Sequence, residues 1–349
     1  MTIDNPDAEA DPPEIFSWGH QPTRLFFSLT PDVIFDAVEK LGHRCTGRCL
    51  PLNSLENRVL EVGVDAPEPV LSESEKFRVA KFYRPQRWTA EQIQEEHVFL
   101  QDLRHHDVPV VVPESDSSGR TLFSIGHQEI FFCVFPKFGG RNPDELSREQ
   151  LEWLGRSLAR LHHVGALSNA PHRMALTPDS YGLAALDFLL DAEVVPENLE
   201  DPLIDVVEDL CEQSAPWFSR FPAQRVHGDC HLGNILWSAT GPVFVDFDDM
   251  VNASTIQDIW LLTPGRDSDG LAQREVLLEA YESLNAFDRH SLALVEPLRA
   301  LRYIHFAAWI AKRWIDPAFP RAFPEFEREA YWNELIQDLE ECLELIPPA

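Results

Sequence analysis

Positive charge is scarce in this chain. Its 349 residues include 29 Lys and Arg against 58 Asp and Glu, a formal net charge of −29. That balance excludes a broad basic face, and with it nucleic acid or an anionic membrane as a charge-bound partner. Long apolar runs are also missing. None approaches the roughly 20 residues that a membrane-spanning helix needs. From Met1 to Glu14 there are five acids and no Lys or Arg, which is unlike a secretory signal, so the expected location is the cytoplasm. Cysteines are few: Cys45, Cys49, Cys133, Cys211, Cys230 and Cys342. Without an export signal they are expected as thiols. The run His43-x-Cys45-x-x-x-Cys49 has two or three metal-type ligands but lacks the full set of four that a structural zinc needs. Glycine is sparse as well, and no G-x-G-x-x-G precedes any strand, which rules out the glycine loop of ordinary protein kinases.

What is present is concentrated in one stretch. Val226-His227-Gly228-Asp229-Cys230-His231-Leu232-Gly233-Asn234 is followed by Phe244-Val245-Asp246-Phe247-Asp248. An Asp is followed by an Asn five residues on and by a second Asp twelve residues later. Phosphoryl transfer needs such a trio: a carboxylate for the hydroxyl proton, and an amide oxygen plus a carboxylate to hold Mg²⁺ on the phosphates. Protein kinases write it H-R-D-x-x-x-x-N with a later D-F-G. Here His-Gly-Asp and Asp-Phe-Asp stand in their place. The apolar runs 235–237 and 243–245, with Thr240-Gly241-Pro242 between them, predict a β-hairpin. A hairpin returns the chain to its start, which brings Asn234 and Asp246 together near Asp229.

The remainder divides into a β-rich and a helical part. Residues 1–25 read as a flexible acidic extension. A helix is expected after Thr30-Pro31, and a strand–turn–strand from Leu50 to Val64 with Asn53-Ser54 and Glu56-Asn57 as turn residues. A strand follows at Phe77–Tyr83, then a helix from Trp88 to Arg104 capped by Thr89, then strands over 109–134. Phe135 to Gly140 breaks the pattern and marks the lobe boundary. The expected N-lobe is 26–137 and the C-lobe 138–349. In the C-lobe, Ser147-x-x-Gln150 is a capping box, with Leu151, Leu154, Leu158 and Leu161 on one helix face. Residues 325–345, with eight acids and one Arg, read as a solvated outer helix.

Val79-Ala80-Lys81 resembles the strand-borne V-A-I-K lysine, whose ammonium neutralises nucleotide phosphate. An acid on the next helix should hold it. Glu96 shares a face with Ile93 and is the first choice; Glu95 is the alternative. The fold class is therefore α+β, a bilobal protein-kinase-like fold with a β-rich N-lobe and a mainly helical C-lobe.

Longer runs carry a family resemblance. They are Pro51-Leu52-Asn53-Ser54-x-Glu56-Asn57-Arg58-Val59, Lys81-Phe82-Tyr83-Arg84-Pro85-x-Arg87-Trp88-Thr89-Ala90 and His227 to Trp237, with Val245-Asp246-x-Asp248-Asp249. Gln257-Asp258-x-Trp260, Glu296 to Ala300 and Arg313-Trp314-x-Asp316-Pro317-Ala318-Phe319-Pro320 complete the set. With them, from about Leu29 to Pro347, the chain resembles the stress response kinase A family, bacterial Ser/Thr protein kinases with the aminoglycoside phosphotransferase and choline kinase type of fold. The resemblance implies Asp229 as catalytic base and Asp246 as second active-site residue. It also implies Asn234 and Asp246 on Mg²⁺, and Ser54 at ATP phosphate, beside Lys81 and Glu96 in nucleotide binding. Asp258 would brace the catalytic loop and His227 would pack within it. The implied partners are ATP and a protein Ser/Thr acceptor, the chain itself included through autophosphorylation; a monomer is expected. Only Phe247 to Gln257 separates Asp246 from Asp258, which leaves no room for a long phosphorylated activation loop. Two alternatives stand beside this reading. One is a small-molecule kinase for amines or amino alcohols, served by Asp248 and Asp249 on the acceptor side. The other is a nucleotide-binding pseudokinase scaffold.

Overall fold

The computed structural model describes residues 26, 28–52, 54–66, 69–70, 72–126 and 130–348. The expected extension 1–25 and the turn residue Asn53 lie outside them. Helix α1 (Pro31–Glu39) begins at Thr30, whose hydroxyl accepts the Val33 N–H, with Pro31 in the first turn where its missing N–H costs nothing. Strands β1 (Cys45–Pro51), β2 (Arg58–Val64) and β3 (Phe77–Phe82) follow. Helix α2 (Ala90–His105) and strands β4 (Phe123–Ile125) and β5 (Ile130–Pro136) complete this part. The sheet has five strands in the order β1-β2-β3-β5-β4, and every pair is antiparallel.

Alternation along central β3 sorts its residues between two layers. Ala80 and Phe82 join Ile34, Ala37, Val38, Leu60, Val62 and Phe132 in a core under α1. Lys81, opposite Val59 on one side and Cys133 on the other, takes the opposite face, toward α2. There Tyr83, Ile93 and Cys133 form a smaller cluster. The helix is entered through a full capping box between Thr89 and Gln92, and its buried positions include Ile93, Glu96, Phe99, Leu100 and Leu103. One expectation is corrected here. Strands occupy only the end of 109–134. Pro109 and Pro113 cannot donate to a ladder, and the stretch runs extended with an isolated bridge between Val110 and Phe244. The Asp116 carboxylate then closes a turn on the backbone N–H groups of Ser118 and Arg120.

The helical part opens with α3 (Arg148–Gly165), capped by Ser147 and Gln150, with Leu151, Leu154, Leu158 and Leu161 buried. Short α4 (Ala184–Asp191) and long α5 (Glu197–Arg220) lead to the catalytic segment. Strand β6 (Gln224–Val226) precedes it, and β7 (Ile235–Ser238) and β8 (Gly241–Phe244) form the expected hairpin, with Ile235 opposite Phe244. Strand β9 (Val251–Ala253) returns to pair antiparallel with β6. Helices α6 (Ile256–Leu262), α7 (Ser268–Glu282), α8 (Val295–Ala311), α9 (Ala318–Ala322) and α10 (Glu329–Glu344) finish the chain. The α3–α7 contact is close because Gly155 has no side chain: a Cβ there would stand 2.2 Å from the Leu277 carbonyl. The acidic C-terminal helix α10 is more than a solvated face. Trp332, Leu335, Ile336, Leu339 and Cys342 are buried at helical spacing, and the acids occupy the other side. No helix among the described residues is long and apolar enough to cross a membrane.

Candidate active site

The β6–β9 pair and the β7–β8 hairpin hold the catalytic segment from both ends. Gly228 sits at φ +86°, and a Cβ on it would lie 2.1 Å from the Asp249 carbonyl oxygen. Glycine is therefore required where ordinary protein kinases carry arginine. Beneath the loop lies Asp258, fully buried at the start of α6. Its carboxylate accepts the N–H groups of His227 (2.8 Å) and Gly228 (2.9 Å) and contacts His162 Nε2 at 3.1 Å. His227 Nε2 meets the Val245 carbonyl at 2.9 Å, and its ring packs on Phe247 with centroids 4.3 Å apart.

Asp229 projects from this frame. Asn234 Nδ2 donates to the Asp229 backbone carbonyl at 2.9 Å and lies 3.4 Å from its Oδ2. His231 Nε2 is 3.3 Å from the same oxygen. Oδ1 faces Arg302 Nη1, on α8, at 2.8 Å. That contact has ion-pair distance without hydrogen-bond alignment, so Oδ1 is buried yet carries no hydrogen bond among the described residues. Burial works against the charge of Asp229, but His231 and Arg302 outweigh it and hold the carboxyl well below the usual carboxylate range.

Asp246 leaves the hairpin at φ 60°, in the left-handed region. For a non-glycine residue this conformation is strained, and such strain gathers at functional sites. The Val245 N–H to Asn234 carbonyl bond (3.0 Å) closes the hairpin base and sets Asn234 beside Asp246.

Lys81 Nζ lies 3.0 Å from Asp246 Oδ1, 3.0 Å from Asp248 Oδ1 and 3.7 Å from Glu96 Oε1. Burial disfavours its ammonium, but these carboxylates outweigh that and keep its pKa well above the ordinary value. Of the two candidate acids on α2, Glu96 is the one at Lys81. Glu95 instead accepts the backbone N–H groups of His172 and Arg173. Burial raises the Glu96 carboxyl to about 7, with Lys81 opposing the rise. Ser54 Oγ accepts the Asn57 N–H at 3.2 Å, which caps its own turn and leaves its hydroxyl proton free to donate.

Several partners had no assigned role in the sequence reading. Arg173 reaches Glu96 Oε2 at 3.3 Å and the Asp248 carbonyl at 2.6 Å. Arg87 bonds the Asp248 carboxylate and lies 2.5 Å from Asp249 Oδ1. Asn57 Nδ2 donates to Asp248 Oδ2 at 3.1 Å. Asp248 is therefore buried toward Lys81 and Arg87, away from the acceptor side where it was expected. A second buried group ties the turn before β2 to the helical part. Glu56 pairs with Arg84 (3.0 Å) and Arg313 (2.5 Å) and accepts from the Trp309 indole (2.7 Å), while Arg84 reaches Asp316 at 2.7 Å. The signal for these was available: arginines placed inside apolar or family-specific runs of an acid-rich chain.

Asn234 and Asp246 supply oxygen donors that suit Mg²⁺, and the Asn234 amide oxygen accepts no bond from a described residue. Among the described residues no set of three His, Cys, Asp or Glu forms an all-protein metal cage. That fits a hard cation held by one or two side chains plus nucleotide phosphate. A cavity of about 870 Å³ lies elsewhere, behind α2 between Glu91, Val98 and Leu122. Lys81, Asp229, Asn234 and Asp246 are not among its lining residues.

The two-part fold, with Lys81 at Asp246 and Asn234 at Asp229, is the arrangement of the kinase class. Comparison with known proteins agrees. Residues 51–295 match the phosphotransferase enzyme (APH) family, and the chain belongs to that family. It is 40% identical over 308 residues to "Stress response kinase A" of Escherichia coli K12, covering 88% of this chain and 90% of that protein. It is 38% identical over 309 residues, with the same coverage, to "Serine/threonine protein kinase RdoA" of Salmonella typhimurium. Among solved structures, amicoumacin kinase hAmiN in complex with AMP-PNP, Ca²⁺ and Ami superposes with a TM-score of 0.71 at 18% identity, covering 91% of this chain and 95% of that one. Spectinomycin phosphotransferase APH(9)-Ia gives 0.61 at 11% identity, covering 89% and 98%. At those identities the structural likeness speaks for the fold alone.

Proposed function

We propose that this chain is an ATP- and Mg²⁺-dependent serine/threonine protein kinase acting in a bacterial stress response. The observation that carries the acceptor class is the 38% identity, over most of both chains, to a protein named as a serine/threonine protein kinase. The geometry supports the chemistry. Asp229, ionised and backed by Asp258, takes the proton of a Ser or Thr hydroxyl. The new bond joins that oxygen to the γ-phosphorus, the bond from γ-phosphorus to the bridging oxygen breaks, and ADP leaves with the bridging oxygen. Lys81, positioned by Glu96, binds the phosphates, and the Ser54 hydroxyl with its turn amides covers them. Asn234 and Asp246 would hold Mg²⁺, which when bound neutralises charge on the phosphates.

Phosphotransfer from labelled ATP onto generic protein acceptors, followed by phosphoamino-acid analysis, tests this reading. Label on Ser or Thr supports it. Label appearing only on small amino alcohols would move the chain to the second class.

A further inference from the structure

Arg302 takes no step in the transfer described above, yet it stands against Asp229. It lies on α8, an apolar helix, and its guanidinium reaches Asp229 Oδ1 at 2.8 Å. The neighbouring cations are engaged elsewhere: Lys81 with Asp246, Asp248 and Glu96, and Arg87 with Asp248 and Asp249. Among the described residues Arg302 has Asp229 alone as an ion-pair partner. The contact is not aligned as a hydrogen bond, and Asp229 Oδ1 is buried beneath it without a hydrogen bond among the described residues. An acceptor hydroxyl needs that oxygen, because Oδ2 already faces His231 and Asn234. Arg302 must therefore move when an acceptor binds. One turn along α8, His305 stacks on Tyr181 with ring centroids 4.1 Å apart and supplies no second charge, since burial holds its imidazole neutral down to about 3. A displaced guanidinium keeps its forked donors and seeks a new anion.

We infer that Arg302 is the acceptor-specificity residue of this site. It covers the free oxygen of Asp229 when no acceptor is bound, and it favours hydroxyls that lie beside a carboxylate or phosphate over hydroxyls that lie beside an amine. The inference rests on the phosphoryl-transfer reading of the site and names the acceptor class within it. An anionic neighbour draws the guanidinium off Asp229, whereas an ammonium group is repelled by it.

The test uses the full chain and two peptides that differ only in whether Asp or Lys flanks one Ser. Wild type should prefer the Asp-flanked peptide by about tenfold or more in kcat/KM, mainly through KM. Arg302→Glu should reverse the preference and Arg302→Lys should keep its direction, with the KM for ATP within about twofold throughout. An equal preference in wild type and Arg302→Glu would overturn the inference. If wild type labels neither peptide, the protein-kinase reading fails separately, and glycerate against ethanolamine becomes the acceptor pair. Equal use of those two would then overturn the inference. Covering is read independently from ATP hydrolysis without acceptor, in which water attacks the γ-phosphorus and gives its proton to Asp229. Arg302→Gln should raise that rate several-fold, and an unchanged rate contradicts covering.

Discussion

The side chains around Lys81 and those around Asp229 are built differently. At the phosphate end, Lys81, Glu96, Asp248 and Arg173 are all buried, and each contacts at least two of the others or their backbone. Around Asp229, the proposed acceptor side, the side chains of Asp229 and Arg302 are 21% and 39% exposed. The loop before Asp229 is tied down through Asp258, which accepts the His227 and Gly228 N–H groups, while Asp229 Oδ1 faces Arg302. Buried ion pairs are not a strong source of stability, because desolvation offsets their attraction. Their value here is geometric: they hold Lys81, Glu96, Asp248 and Arg173 in one cluster.

The sharpest way to break the contrast is at Asp229. Asp229→Asn should lower phosphotransfer by about a thousandfold or more while leaving ATP affinity near wild type, as read by steady-state kinetics beside nucleotide titration. A variant that turns over normally would remove Asp229 from its role. At the other end, Asp246→Asn should weaken both Mg²⁺-ATP binding and turnover, each by about tenfold or more, because its carboxylate serves the metal and Lys81 together. Loss of turnover with unchanged nucleotide affinity would place Asp246 on the acceptor side instead.

Smaller effects concern the scaffold. Glu56→Gln leaves Arg84 and Arg313 facing a neutral group inside the molecule, and it should cost about 3 kcal/mol in urea unfolding. A cost near zero would mean that the turn before β2 is not anchored by this carboxylate. His97 is buried behind Lys81 and bonds Tyr83 and Thr121. Burial first, then the charges of Lys81 and Arg173, lower its pKa from 6.5 to about 3. Between those values the unfolded chain binds a proton that the folded chain does not. Stability contributed by this residue therefore falls as pH drops from 6.5 toward 3, by at most about 1.4 kcal/mol per pH unit. His97→Gln should flatten that part of the stability curve, and an unchanged slope would assign the acid sensitivity to other groups.

Much of this was readable in the chain before any coordinates. The hairpin between Asn234 and Asp246, the capped helices α2 and α3 and the strand holding Lys81 all rest on local signals: turn residues, caps and alternation. Glu96 was separable from Glu95 because helical spacing puts it on the Ile93 face. The failures share a cause. Prolines 109 and 113 removed ladder donors from a stretch expected as strand. Arg84 meets Asp316 and Arg302 meets Asp229 across long sequence separations, which periodicity does not report. Asp248 was placed by its nearness in sequence to the acceptor side, whereas the turn after Asp246 points it inward to Lys81.

The central claim is that Asp229 accepts a hydroxyl proton during phosphoryl transfer to protein. Mg²⁺-dependent transfer of labelled γ-phosphate from ATP, to the chain itself and to a generic protein acceptor, with Asp229→Asn alongside, tests it most directly. The account predicts label on Ser or Thr that disappears in the variant. Equal labelling by both proteins, or ATP bound with no protein labelled, would contradict it.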